Sequence, residues 1–72
     1  MPISFASVGD ILVILEIRGN EETKRHLENL GFVKGETVTI ISKNAGNLII
    51  AIKDSRLAIN HSMSSKIIVA NK

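Results

Sequence analysis

Aliphatic side chains recur at every second position in five short stretches of this chain, a period that belongs to strands rather than helices. The stretches are 11–17, 37–41, 48–52, 57–60 and 67–70, separated by clusters of Gly, Asn, Asp and Ser. Ile11, Val13, Leu15 and Ile17 share one face of the first stretch after a turn at Ser7-Val8-Gly9-Asp10, while Leu12, Ile14 and Glu16 share the other. Both faces of that strand are therefore largely apolar. Ile, Leu and Val together supply 23 of the 72 residues, enough for a compact core in one domain spanning 1–72, which excludes intrinsic disorder.

The alternation breaks once, after Asn20. Asn20 is a capping residue, Glu21 and Glu22 occupy a first turn where the helix dipole favours acids, and Thr23, Leu27 and Leu30 fall on one stripe. This pattern predicts a helix of about ten residues. Gly31 supplies the left-handed residue that stops it, with Phe32 placed to pack back onto Leu27.

Gly35 opens the second strand, and the sequences Asn44-Ala45-Gly46-Asn47 and Lys53-Asp54-Ser55-Arg56 each predict a hairpin turn. Residues 61–66 predict a single helical turn capped by Ser62, leading into the last strand. The expected fold is all-β: a small SH3-like, five-stranded, partly open barrel with one short α-helix after the first strand. A sandwich needs about 100 residues. An OB-fold is the structural rival, but it places its helix later in the strand order.

Several chemistries are absent from the inventory. With no cysteine there is no disulfide, thiolate metal site or thiol nucleophile. The five glycines stand singly at turns, and no phosphate-loop string occurs. No Tyr or Trp is present to line a groove for proline-rich peptides, and Phe5 and Phe32 are expected to be committed to packing rather than to base stacking. Glu22 and His26 are an i, i+4 pair without an evident third metal ligand, and His61 sits in a turn where a surface hydrogen bond is its simplest role. No catalytic constellation assembles, so no catalytic or cofactor-binding residue is assigned, and a metal site is left undetermined.

The longest wholly apolar run, Ile11 to Leu15, is far short of the about 20 residues that cross a bilayer, and the chain start does not resemble a secretory signal. The expectation is a cytoplasmic protein. The net charge of +2 decides nothing about partners, although Lys24, Arg25 and Lys34 gather near the helix end. If Ile11, Val38, Ile50, Leu57 and Val69 fill the barrel, then Leu12, Ile14, Ile41, Ile49 and Ile68 point away from it. Such an aliphatic surplus favours a docking module over an enzyme.

The run Lys24-Arg25-His26-Leu27-Glu28-Asn29-Leu30-Gly31-Phe32-Val33-Lys34-Gly35, followed by Thr37-Val38-Thr39-Ile40, resembles the signature of FeoA-like proteins. The segment from Asn47 to Ile59 is similar to that family's second hairpin, and Ile67-Ile68-Val69 to its closing strand. Two positions depart from the pattern. Lys34 stands where the family often has proline, and Met63 where a small alanine is frequent.

The resemblance implies a non-enzymatic accessory protein of ferrous iron uptake, acting on the cytosolic GTPase domain of a FeoB-type membrane permease. It implies contact with the membrane only through the permease, no DNA partner, and leaves self-association open. Arg25, Leu30, Gly31 and Lys34 are the expected partner-binding residues, with Gly31 and Gly35 as structural turns. Two other readings stand beside it. One is a nucleic-acid-associated SH3-like barrel of translation-factor type, using Lys24, Arg25, Lys34, Lys43 and Lys53 on phosphates. The other is a metal-sensing module related to the C-terminal domain of diphtheria-toxin-repressor-type regulators.

Overall fold

The five alternating stretches form one antiparallel sheet in the computed structural model, which describes residues 1–72. The strands are β1 (Ile11–Ile17), β2 (Thr37–Asn44), β3 (Asn47–Ile52), β4 (Ser55–Ile59) and β5 (Ile67–Asn71), in the spatial order β4-β3-β2-β1-β5. Every strand contributes to one core: Leu12 and Ile14, Val38 and Ile40, Leu48, Ile50 and Ile52, Ile59, and Ile67 and Val69 are all buried. The sheet thus curls round a single interior, and the molecule's extents of 29 × 25 × 23 Å are those of a barrel rather than a flat layer.

Helix α1 (Glu21–Asn29) begins and ends as its sequence dictates. The Asn20 side-chain oxygen accepts the Thr23 N–H at 2.8 Å, removing one of the unpaired donors of the first turn. At the other end Gly31 adopts φ +105°, the Phe32 N–H donates to the Leu27 carbonyl at 3.0 Å, and the Gly31 N–H donates to Glu28 at 3.0 Å. These are the two bonds of a Schellman stop, and its apolar partners, Leu27 and Phe32, are both fully buried. Asn44 and Asn47 pair across a two-residue turn in which Ala45 and Gly46 are both left-handed. That twist matches the flanking strands, so β2 and β3 run further into the hairpin than alternation alone predicts.

Several expectations are corrected. The inward face of β1 carries Leu12 and Ile14, whereas Ile11 is 53% exposed. Both faces of β1 are apolar, so local pattern could not choose between them; pairing with β2 on one side and β5 on the other does. Ile41 and Ile49 are half-buried, and Leu57 is half-buried against the core rather than filling it. Ile68 is buried because Pro2 bridges to it and the Val69 N–H donates to the Met1 carbonyl. The N-terminal residues therefore cover that edge of β5. A 3-10 turn at Ile3–Phe5 then sends Ile3 and Ala6 into the core and leaves Phe5 73% exposed, against the expectation that it packs.

Two boundaries also differ. β4 begins at Ser55 because Lys53, at φ +53°, and Asp54 complete the turn by themselves. The short helix α2 (His61–Ser64) is capped by Asn60, whose side chain accepts the Met63 N–H at 2.8 Å, and not by Ser62.

Two substitutions test the helix stop. Leu27→Ala leaves a cavity beside Phe32 and should cost about 2–5 kcal/mol in denaturant unfolding, a large fraction of the stability of so small a domain. Gly31→Ala forces a Cβ into a left-handed conformation and should cost more than about 1 kcal/mol, although Ile52, at 3.7 Å from that Cβ position, leaves room for it.

Candidate docking surface

β1 pairs with β2 only over Ile11 to Val13, and at Ile14 the pairing passes to the loop after α1. The Ile14 N–H donates to Glu36 at 2.9 Å, and the Gly35 N–H donates to the Ile14 carbonyl at 2.8 Å. Beyond this point the loop leaves the strand. Leu15 lies on the face of Ile11 and Val13, opposite the buried Leu12 and Ile14, and is 44% exposed; the β1–β5 register slips between Ile14 and Glu16, and the bulge leaves Glu16, next in alternation for the interior, exposed as well. A groove of about 450 Å³ opens between this end of β1, the helix and the loop, lined by Leu15, Glu16, Ile17, Lys24, Glu28, Phe32, Val33 and Lys34. Phe32 is its buried floor, and Val33, 39% exposed, stands on its rim.

The loop that forms one wall is a tight turn. The Glu36 N–H donates to the Val33 carbonyl at 3.0 Å, and Gly35 has φ +90° at the third position, as a type II turn requires. Lys34 is the second residue of that turn, the position proline prefers. Its side chain is exposed and forms no ion pair, so its charge faces solvent at the groove.

The four residues expected to bind a partner do not form one surface. Lys34 lies on the groove. Arg25 is exposed on α1 but does not line it: at about 100° per residue it points directly away from the Thr23–Leu27 stripe. Leu30 is half-buried and packs against the core, and Gly31 serves the helix stop. In place of the outward aliphatics expected from the sequence, Leu15 and Val33 stand exposed on the groove, and Val8 and Ile11 are exposed away from it. Leu15 shares the face of Ile11 and Val13, so its exposure follows once pairing turns Leu12 and Ile14 inward.

The remaining charged and polar candidates are dispersed. Glu22 and His26 line a second cleft, of about 440 Å³, between α1 and α2, together with Met63 and Lys66. His61 lines a third, of about 220 Å³, beside Phe5 and the β2–β3 turn. No three imidazole or carboxylate groups come together as a metal-holding set. The Lys43 ammonium donates to the Ala6 carbonyl at 2.7 Å and to Ser4 at 3.4 Å, tying the N-terminal turn to β2. Lys53 pairs with Glu36 at 3.7 Å, and Lys24 with Glu21 at 4.0 Å. Of the five basic residues that a phosphate-contacting surface would use, only Arg25 and Lys34 remain without a partner in the fold. No helix is long and apolar enough to cross a membrane.

A family model described as the FeoA domain matches residues 1–71. The chain belongs to the FeoA family. The FeoA of Stenotrophomonas maltophilia, a zinc complex described as a procaryotic SH3 domain protein, superposes with a TM-score of 0.84 at 26% identity, over 97% of this chain and 89% of its own. A FeoA described as an iron uptake regulatory protein gives 0.89 at 23% identity, over 96% and 93%. A manganese-dependent transcriptional repressor gives 0.91 at 15% identity; this chain is covered entirely and spans 41% of the repressor, a likeness of fold alone. No curated protein sequence matches the chain. The SH3-like barrel expected from strand count and helix placement is thus the FeoA fold.

The turn gives a direct check on the groove wall. The Lys34 N–H makes no backbone hydrogen bond, so Lys34→Pro removes no bond and restricts the unfolded chain. It should raise stability by about 0.4–1 kcal/mol in denaturant unfolding.

Proposed function

We propose that this FeoA protein is a non-enzymatic, cytoplasmic accessory of ferrous iron uptake that docks on the cytosolic GTPase domain of a FeoB-type permease through the groove between β1, α1 and the Val33–Glu36 turn. The observation that carries this reading is the pair of exposed aliphatics, Leu15 and Val33, set on one groove beside the unpaired ammonium of Lys34, in a chain of this family. Apolar anchors in a groove supply the affinity of such contacts, and a rim charge sets the rate and orientation of encounter. The description of the S. maltophilia protein as possibly a ferrous iron transport activating factor supports the same reading.

The mechanism needs no chemistry from the accessory. A GTPase alternates between nucleotide states, and a docked module that binds one state more tightly shifts the balance toward it by its difference in affinity. The nucleic-acid reading has less support, because Lys43 and Lys53 are engaged within the fold. The metal-sensing reading draws on the repressor likeness, which is one of fold.

Titration against the isolated GTPase domain, with GDP and with a non-hydrolysable GTP analogue at two salt concentrations, tests the proposal. Saturable binding that differs between nucleotides is the expected result, and absence of binding in both states counts against the reading. Lys34→Glu should weaken binding by roughly three- to tenfold, mainly through the association rate, and more than Arg25→Glu, which lies off the groove.

A further inference from the structure

Phe5 is the most exposed large apolar side chain of the molecule, and the fold holds it there. The flanking Ile3 and Ala6 are buried, the Ala6 N–H donates to the Ile3 carbonyl at 3.0 Å, and the Lys43 ammonium donates to the Ala6 carbonyl at 2.7 Å. The ring is thereby fixed on the cleft beside the β2–β3 turn, which shares no residue with the groove at the end of β1. Exposed Asn44 and Asn47, which pair across the hairpin, line the cleft too, together with buried Leu48. Lys43 and His61 also line it, and no carboxylate does.

This lining selects a chemistry. The cleft measures about 220 Å³, half as large again as the roughly 150 Å³ that encloses one benzene ring, which is the size for a two-ring heterocycle. An aromatic face stacks on any base, and a carboxamide, carrying a donor and an acceptor, matches the purine edge on which adenine offers one of each. An aromatic side chain of a peptide would fill the same space and leave both amides unused. The Lys43 ammonium gives two of its three protons to the Ser4 and Ala6 carbonyls and keeps one for an anion that no neighbouring carboxylate opposes. We propose that this cleft binds a purine nucleotide, its base laid on the Phe5 ring within reach of the Asn44 and Asn47 amides and its phosphate on the side of Lys43 and His61. A free nucleotide and an unpaired purine in an RNA strand present the same base and phosphate, and either can be the source. The site does not depend on the docking reading.

The chain contains no Trp, so Phe5→Trp places a single fluorophore on the platform and keeps its aromatic face. Titration of this variant alone with AMP should quench the emission saturably, with a dissociation constant of about 1 mM, whereas ribose phosphate should not. In amide NMR of the unsubstituted chain, AMP should shift Ser4 to Ala6, Asn44 to Asn47 and His61, and Phe5→Leu should weaken that binding roughly tenfold. Because Phe5 is exposed, Phe5→Leu should melt where the parent chain does, which separates lost stacking from lost folding. A short single-stranded oligoadenylate identifies the source. Binding roughly tenfold tighter than AMP and weakened by salt assigns the site to an RNA strand, and equal affinity per base assigns it to the free nucleotide. No saturable binding of AMP or the oligonucleotide, an equal response to ribose phosphate, or undiminished affinity in Phe5→Leu overturns the proposal.

Discussion

The Phe32 N–H reaches back over left-handed Gly31 to the Leu27 carbonyl, and the position of everything after the helix follows from that stop. The bond ends α1 within one residue and places the Phe32 ring against Leu27 in the core. The chain emerges beside Ile14, where Gly35 and Glu36 continue the pairing of β1. One further helical turn would carry Phe32 out of the core and shift Glu36 away from Ile14. The β1–β2 register and the groove beside it thus depend on a single left-handed residue.

The groove arises where two irregularities coincide. β1 loses its β2-side partner after Ile14, and at the next residue its register against β5 slips. Alternation turns Leu15 toward solvent opposite the buried Ile14, the bulge exposes Glu16 beside it, and the adjoining turn adds Val33 and Lys34.

Much of the fold was legible because local signals agreed. The Asn20 cap, the Gly31 stop with Phe32 behind it, and the Ala45-Gly46 hairpin were each specified by a few adjacent residues, and each is found as read. Where the sequence misled, the deciding contact was distant. Leu12 and Ile11 are equally apolar neighbours, and only pairing with β5 and β2 selects Leu12 for the interior. Phe5 is exposed because a three-residue 3-10 turn, too short to carry any periodicity, gives the interior to Ile3 and Ala6. The candidate surface was less legible still. Lys34 and Arg25 carry the same charge, but only Lys34 lies on the groove, and Leu15 shares the face of Ile11, which the local pattern could not tell from the interior one.

The proposed partner surface lies at the end of β1 and the turn after α1. Amide NMR of the isotope-labelled protein during addition of the unlabelled GTPase domain tests it most directly. The amides of Leu15 to Ile17 and Val33 to Glu36 should shift or broaden first, while those of the Ala45-Gly46 hairpin stay in place. Perturbation centred on that hairpin, or on the cleft between α1 and α2, would contradict it.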